Sequence, residues 1–370
     1  MDKQSNINDL LNSNLLELFS RQGGLLQISQ DEFIVFIGSK VDDLEGYSDQ
    51  MLVYCPDYWD FLSKKGFRTS KYPQSMCVNR AQFLDFLKIR LHRNCTNALE
   101  FKSAKKEEFK AQFDWSQEKF KQGQLQKTVP MTYFEYAFED DFDYLSQLDK
   151  ALTQQSFGYI YGEWNSDEGY LGLTPETLAT WDGQTFKTMA LAGTWGKDIN
   201  YRQVADVDVK TREEHEFVIK DIHARIHGLT QGETYIYKMP VINHLKTELS
   251  KDCKQRDLFL EYAFCLHPTA ALGYYPRDLN RGLELMNLPL QNQREKFGAP
   301  FGLIADKFAF IVVGIRNFKW NLRLKNVCIR VGCGVTAQSV FEDEWKELVN
   351  KKTAIQKAFG LELKNESLMI

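Results

Sequence analysis

The sequence predicts an α+β fold, in which strands and helices do not alternate regularly along the chain. After Gly123 come several apolar or aromatic runs punctuated by Gly, Pro and Asp, which is typical of strands and turns. Two longer segments instead have apolar residues at helical spacing. With 370 residues, 43% of them hydrophobic and 26% charged, the chain can bury a sizeable core and is expected to be folded and soluble.

The first part, residues 1–103, mixes strand-like pieces such as EFIVFIG with short helical ones and carries no recognisable chemistry. The segment that follows, residues 104–126, is highly charged and favours helix. Its Phe109, Phe113 and Phe120 lie at near-helical spacing, so we expect an exposed amphipathic helix. This helix connects to residues 127–370, which hold all the candidate functional residues.

In the region 127–370 the first strands are expected in TVPMTYFEYAF, FGYIYGEW, YLGLTPETLATW and TFKTMALAGT. A helix is expected in REEHEFVIKDIHARIHGL, whose apolar stripe ends near Gly228. The stripe consists of Phe217, Val218, Ile222, Ile226 and Leu229. Three more strands, in FAFIVVGIR, WNLRL and VCIRV, precede a final helix in EDEWKELVNKKTAIQKAF.

Charge and cysteine usage exclude several classes of protein. The 46 basic and 50 acidic residues give a net charge of −4 without a basic run, which argues against a nucleic-acid partner. The start of the chain does not resemble a secretory signal, and no window has the roughly 18 apolar residues of a membrane helix. Seven cysteines without a CxxC pair argue against a disulfide framework and a zinc site. We therefore expect a cytoplasmic protein with no membrane partner.

The final helix carries Glu344, Glu347 and Lys351 at positions i, i+3 and i+7, which places them on one face. Trp345 and Leu348, with Val349 after them, lie beside that face and are expected to hold the helix against a sheet. The same spacing is also that of an exposed face with ordinary Glu–Lys pairs.

In the earlier helix Glu214 and Asp221 are seven residues apart and share a face. Carboxylates projected from two helices suit magnesium, which takes oxygen ligands octahedrally and keeps several waters or substrate oxygens. Any pair of acidic helices has this property, so the pattern alone is a weak signal. His215 is expected to make a structural hydrogen bond, because magnesium disfavours imidazole.

The Gly332-Cys333-Gly334 turn follows a strand, and its two glycines let backbone N–H groups converge on an anion. Arg316, at the end of an apolar strand, offers a planar fork for a carboxylate. A strand-end Arg that reaches solvent is the alternative.

Nine segments in a fixed order resemble the chorismate-utilising enzyme family: LTPETL, LAGT, REEHEFV, NHLKT, LHPTAALG, REKFGAPFG, VVGIRN, VGCGV and EDEWKELVNK. The resemblance covers roughly residues 127–361, and the order is more specific than any one string. It implies large antiparallel sheets sandwiched by helices, with residues 1–103 forming the N-terminal part of that sandwich.

The resemblance implies that the chain binds chorismate through a magnesium ion that grips the ring carboxylate. Glu214 and Glu344 then match the ligands, and Glu347 matches a nearby or water-bridged carboxylate. Arg316 and the backbone of Gly332 and Gly334 match the groups that receive the enolpyruvyl carboxylate. Five more positions match the substrate pocket: Thr194, His244, Ala271, Leu272 and Lys351.

By the same resemblance Lys127 matches the general base of the members that add water, and Glu176 matches the acid that protonates the departing ring hydroxyl. A lysine acts as a base only as the neutral amine, a form that burial and a neighbouring cation both favour. Outside this context Glu176 would be an ordinary Pro-Glu turn residue.

The resemblance indicates an isochorismate synthase within this family. Ala192 stands where aminodeoxychorismate synthases usually have a Lys, and Ala271 where the ammonia-using members tend to have Thr. The chain also reads IHAR where those members have LxRND, and no glutaminase subunit is expected. Salicylate synthase, which takes the same first step and then eliminates pyruvate, is the alternative.

Three positions depart from the family pattern. Tyr274 stands where a small Gly is usual, and Trp195 and Thr132 replace residues that are often Arg. A bulky Tyr274 is expected to narrow the pocket. A degenerate homologue that binds chorismate without turning it over therefore stays a second alternative.

Overall fold

A computed structural model describes residues 13–43, 51–62, 69–88, 98–139, 142–154, 158–239 and 242–364. The helices in these ranges are α1 (Ser13–Arg21), α2 (Arg80–Lys88), α3 (Lys106–Lys121), α4 (Tyr144–Thr153), α5 (Val209–Arg225), α6 (Arg256–Leu266), α7 (Leu279–Met286) and α8 (Phe341–Phe359). Short 3-10 turns cover Tyr58–Leu62, Val204–Asp206 and Gln291–Gln293.

The strands up to the middle of the chain are β1 (Gly23–Gln27), β2 (Glu32–Ile37), β3 (Val41–Asp43), β4 (Leu52–Tyr54), β5 (Thr69–Lys71), β6 (Gln74–Asn79), β7 (Ala98–Ala104), β8 (Lys127–Thr128), β9 (Met131–Ala137), β10 (Tyr159–Trp164), β11 (Glu168–Thr174) and β12 (Thr177–Trp181). The later strands are β13 (Thr185–Gly196), β14 (Thr230–Gln231), β15 (Tyr235–Lys238), β16 (Ile242–Asp252), β17 (Tyr274–Tyr275), β18 (Pro300–Ile304), β19 (Ala309–Val313), β20 (Asn317–Asn321), β21 (Asn326–Gly332), β22 (Val335–Thr336) and β23 (Glu362–Lys364).

These strands form two large sheets and one small sheet. Sheet 1 has the order β23-β7-β9-β21-β20-β11-β10-β1-β2-β6, and only its β23–β7 pair is parallel. Sheet 2 has the order β14-β16-β13-β12-β19-β18-β4-β5-β3, with β15 also paired to β16. Sheet 3 is small, with β8 between β17 and β22. The predicted α+β fold with large antiparallel sheets is confirmed.

The two large sheets lie face to face between two layers of helices. Alternation along β2 shows why, since successive side chains of a strand point to opposite faces. Phe33 and Val35 join the core under the helices, whereas Ile34 and Phe36 join the core between the sheets. The helical side of sheet 1 packs on α1, α2, α3, α4 and α8. Sheet 2 packs on α5 and α6.

Both parts of the chain build the same two sheets. Strands β1, β2 and β6 extend sheet 1 beyond β10, and β3, β4 and β5 extend sheet 2 beyond β18. The N-terminal residues therefore complete the sandwich that carries the candidate site.

The helix expected in residues 104–126 is α3, but it is not a solvated connector. Phe109 is fully buried, and its ring packs against Phe341 and Trp345 of α8. Gln112 is also buried, and its side-chain amide bonds both the N–H and the C=O of Met131. The predicted amphipathic helix is confirmed, but it is not a solvated connector, because its apolar face closes the core over β9.

The strand expected in WNLRL is displaced. Strand β20 ends at Asn321, and residues 322–325 form the turn to β21. Asn321 stabilises this turn, since its side chain accepts from the Leu324 N–H at 2.8 Å. Lys325 in the left-handed region, with φ +52°, completes the turn. Among the described helices, none is long and apolar enough to span a bilayer.

Candidate active site

A cavity of about 80 Å³ lies where the ends of β13, β16 and β21 meet α8 and the loop before β17. All but two of the thirteen predicted site residues line it. The exceptions, Lys127 and Glu344, lie behind it. The lining members are Glu176, Thr194, Glu214, His244, Ala271, Leu272, Arg316, Gly332, Gly334, Glu347 and Lys351.

Lys127 is held by the small sheet. Its strand β8 pairs with Tyr275 on one side and Thr336 on the other, which fixes the backbone in the interior. The side chain is fully buried, and its Nζ lies 3.2 Å from Glu214 Oε1. A Cβ added at Gly334 would overlap that carboxylate oxygen and approach Lys127 Cε to 3.1 Å. Gly334 therefore makes the room in which the pair meets.

Each predicted metal-binding carboxylate is paired with a lysine. Besides the Lys127–Glu214 pair, Glu347 Oε1 lies 2.7 Å from Lys351 Nζ. Glu344 is 1% exposed, and its Oε1 lies 2.6 Å from Lys210 Nζ. Glu214 and Glu347 face the cavity, whereas Glu344 lies behind it.

Lys210 was missed by the sequence analysis. Although burial opposes it, the carboxylate of Glu344 raises the pKa of Lys210, with smaller contributions from Glu214 and Glu347. The Lys210 ammonium therefore interacts electrostatically with all three carboxylates. Its position one helical turn before Glu214 was the available signal, because residues four apart share a helix face.

The chemistry of these groups fits a hard cation. Burial raises the pKa of Glu344, and the neighbouring Glu347 carboxylate adds to the rise, while Lys210 opposes it. Two carboxylates that repel each other inside the protein are stabilised by a cation between them. In the described part of the chain no three His, Cys, Asp or Glu side chains form a complete metal cage. A magnesium site with few protein ligands and several water or substrate oxygens needs no such cage.

Glu176 lies in the turn between β11 and β12. Its N–H donates to Thr174 Oγ1 at 3.2 Å, and its C=O accepts from the Val313 N–H at 3.0 Å, which fixes the turn. The side chain is 4% exposed. Burial raises the pKa of its carboxyl to about 8, although Lys127, Arg316 and Lys351 act in the opposite direction. A carboxyl with this pKa is mostly protonated near neutral pH.

A chain of hydrogen bonds orients the other wall. Arg316 Nη2 lies 3.0 Å from His244 Nε2, and His244 Nδ1 lies 3.1 Å from Thr194 Oγ1. A guanidinium only donates, so His244 Nε2 accepts and its Nδ1–H donates to Thr194. Burial lowers the pKa of His244 well below its usual range, and Arg316 lowers it further. The histidine is therefore neutral, and it holds the guanidinium in place.

Arg316 itself occupies the left-handed region, with φ +53°. Such a conformation costs about 1–3 kcal/mol for a residue other than glycine. Burial lowers the pKa of Arg316 to about 10, with Glu176 and Tyr237 opposing. The guanidinium therefore stays charged and points into the cavity instead of into solvent. Lys351 Nζ lies near it in the cavity wall and donates to Gly332 O at 2.8 Å.

Asp221 was suggested as a partner of Glu214, but in the structure it has a structural role elsewhere. It is buried, and its carboxylate bonds Arg277 Nη2 at 2.6 Å and the Ala270 N–H at 3.2 Å. These bonds hold the loop that carries Ala271 and Leu272. His215 makes the expected structural hydrogen bond, 2.8 Å from Thr247 Oγ1, and burial lowers its pKa to about 4.

Tyr274 does not narrow the cavity. Its side chain is 3% exposed and packs with Leu125 and Leu285 in a separate cluster, over Gly282. The expectation was wrong, because β17 turns this side chain away from the cavity lining. Trp195 packs with Val207 in another cluster.

The family model described as chorismate binding enzyme matches residues 66–360. This chain belongs to the chorismate binding enzyme family. The match begins within the N-terminal part, where the sequence carried no recognisable motif.

This chorismate binding enzyme is related to isochorismate synthases. It is 25% identical to the isochorismate synthase MenF of Escherichia coli over 217 residues, which is 55% of this chain and 48% of that protein. It is 27% identical to the isochorismate synthase EntC of Escherichia coli over 229 residues, 58% of this chain and 57% of that protein.

Anthranilate synthase component 1 of Thermococcus kodakarensis is 22% identical over 243 residues, 61% of this chain and 54% of that protein. The chain thus spans about half the length of the curated relatives it matches. The solved structure of MenF from Escherichia coli superimposes with a TM-score of 0.74 at 17% identity, covering 94% of this chain and 91% of that one.

Proposed function

We propose that this chain is a magnesium-dependent isochorismate synthase. The observation that carries the proposal is the placement of a buried Glu176, whose pKa is raised to about 8, in the lining of one small cavity, with the buried Lys127 directly behind that lining. Water addition with loss of a hydroxyl needs one group that gives a proton and one that takes a proton. The relationship to isochorismate synthases supports the same activity.

Chorismate carries two carboxylates, and the cavity offers cationic groups for both. Arg316, held by His244, receives the enolpyruvyl carboxylate, and Lys351 lies beside it. A bound magnesium ion supplies charge neutralisation for the ring carboxylate and orients the ring. Glu214 and Glu347 would hold it, because they face the cavity, whereas Glu344, which the resemblance matched to a ligand, would support it from behind.

The proton transfers follow from the side chains. Glu176 donates its proton to the ring hydroxyl, which leaves as water. Lys127 takes a proton from the incoming water, whose oxygen forms the new bond to the ring. The ring thus loses one hydroxyl and gains another, so the overall reaction is an isomerisation.

Two small residues in the lining favour water over a nitrogen nucleophile. Ala192 offers no amine that would attack the ring, and Ala271 offers no hydroxyl. At about 80 Å³ the cavity is smaller than the roughly 300–1,000 Å³ of ordinary ligand pockets. Binding of a ring substrate therefore requires lining side chains to move, and the long side chain of Lys351 can do so.

The test is incubation of the purified full chain with chorismate and magnesium, followed by chromatographic separation of the products. We expect isochorismate, and none after addition of excess chelator. Salicylate with pyruvate, an aminated product in ammonium salt, or no turnover would each contradict the proposal.

A further inference from the structure

A second, larger cavity of about 550 Å³ lies between sheet 1 and the segments that flank sheet 2. Its volume is in the range of ordinary ligand pockets. It shares Arg330 with the candidate active site, and its other lining residues are different. The proposed reaction does not use it, although Glu295 and Lys296 of its lining lie within the REKFGAPFG segment.

The wall on sheet 1 is a row of neighbouring residues. Glu163 lies opposite Tyr170, and Tyr170 lies opposite Lys319, on strands β10, β11 and β20. Residues directly opposite on adjacent strands point to the same face. The facing wall comes from Asp57, before the first 3-10 turn, and from Lys296, before β18.

Four cations in this cavity form two groups. Lys319 Nζ and Arg330 Nη2 both bind Glu295 Oε2, at 2.9 Å and 3.1 Å. In the second group Lys296 pairs with Asp57 at 2.9 Å and Lys40 pairs with Glu163. These two lysines lie close to the same carboxylate, because Glu163 acts to raise the pKa of both against the effect of burial.

In four of the five described ion pairs of this cavity the cation lies deeper than its partner. The exception is Lys40, 40% exposed, with Glu163, 13% exposed. The side chain of Arg330 is 9% exposed and that of Lys319 24%, whereas their shared partner Glu295 is 39% exposed. Lys296 is 25% exposed and Asp57 is 54% exposed. A carboxylate at the rim can turn to water and leave its cation to a ligand at little cost, because exposed ion pairs contribute little.

One buried donor also has no acceptor. Arg330 Nε is buried and unbonded within the described residues. A buried donor without a partner costs about 1–3 kcal/mol. Arg330 lines both cavities, and an acceptor that reaches this nitrogen from the larger one would remove that cost.

We propose that this cavity is a second binding site, for a small organic dicarboxylate. One carboxylate binds between Lys319 and Arg330, and the other binds between Lys40 and Lys296. Two cation groups in one cavity favour a ligand with two anionic groups over a monocarboxylate. Tyr72 and Tyr170 in the lining contact the body of the ligand.

The experiment is isothermal titration of the full chain with malonate, succinate, glutarate and adipate, with acetate and succinamide as controls. We expect at least one dicarboxylate to bind, and both controls to bind at least about tenfold more weakly, since they lack one or both charges. No binding by any of the four dicarboxylates at millimolar concentration would overturn the proposal.

Variants separate the two cavities. Lys319→Gln and Lys296→Gln should each weaken binding at least about tenfold, while Lys187→Gln, an exposed lysine of β13, should not. Arg316→Gln removes the carboxylate-binding guanidinium of the candidate active site and should leave this binding in place. If Arg316→Gln lost binding while Lys319→Gln and Lys296→Gln kept it, the ligand would belong to the first cavity. The proposed second site would then be refuted.

Thermal unfolding checks that each variant is folded. Because Lys296 and Lys319 come from different segments, one variant still tests the proposal if the other does not fold. Arg330 is not used as a probe, because it lines both cavities. The titration does not depend on turnover of chorismate, so it can fail while the proposed function stands, and the reverse also holds.

Discussion

Replacing Glu176 by Gln tests the proton donor of the proposed reaction. Gln keeps the size and the backbone contacts of the turn but has no acidic proton. A general acid contributes about 10²–10⁴-fold to a rate, so kcat of the variant should fall by that factor. In the wild-type enzyme, activity that needs the protonated carboxyl should decline above about pH 8.

The same residue should make stability depend on pH. Its pKa rises from 4.5 to about 8 on folding, which corresponds to about 5 kcal/mol at 1.36 kcal/mol per pKa unit. The folded state binds the extra proton between these values, so this stability is complete below pH 4.5 and is lost as the pH rises through about 8. The variant lacks this dependence.

The assay is urea unfolding of the wild type and the variant at about pH 5 and about pH 8.5. Between these two pH values the wild type should lose several kcal/mol of unfolding free energy relative to the variant. Glu342→Gln, at an exposed glutamate of α8, is the matched control and should show almost no such change. A pH-independent difference, or a variant with wild-type kcat and an unchanged alkaline limb, would refute the reasoning.

Four more results are expected. Lys127→Gln should lower kcat about a hundredfold or more with little change in chorismate affinity, and a wild-type rate would remove Lys127 from the mechanism. Glu214→Ala should abolish turnover and weaken magnesium binding measured by titration, as excess chelator abolishes turnover in the wild type, and turnover in chelator would contradict this. Ala271→Thr should lower the isochorismate fraction and raise elimination or amination products at equal conversion, and an unchanged ratio would make Ala271 a packing residue. Asp221→Asn should destabilise the fold by about 3–5 kcal/mol in urea unfolding, because Arg277 is left buried without its anion, and a smaller loss would show that Arg277 finds other acceptors.

Local residue spacing predicted where the helices lie, but it did not predict how each helix is packed against its neighbours. The stripe around Val218 and Ile222 indicated α5 and its buried face. The same rule predicted an exposed α3, because the burial of Gln112 depends on β9, which no local pattern shows. Asp221 shares a face with Glu214, but seven residues span about 10 Å of helix. The two carboxylates therefore serve different neighbours.

The resemblance predicted residues that spacing alone could not connect. Thr194, His244 and Arg316 come from three distant segments, and only the pairing of β13 with β16 brings the first two together. Sequence motifs named them without showing the order of their hydrogen bonds. The motifs did not indicate the second cavity, because of its lysines only Lys296 lies in one of the nine segments, whereas Lys40 and Lys319 lie outside them.

In the final helix, α8, an ordinary i,i+4 ion pair becomes part of the cavity wall because of where the helix packs. Glu347 and Lys351 do form an i,i+4 pair, as an exposed helix face would. In this fold, however, α8 lies over β21, so the pair lines the cavity and Glu344 on the same face is buried. Three carboxylates lie together here, and each has a lysine Nζ within 3.2 Å, from Lys127, Lys210 or Lys351. A cation that enters would compete with these lysines for the carboxylates. Cation binding and the release of the lysines are therefore linked, and it is the convergence of α5 and α8, not the spacing within either helix, that creates this linkage.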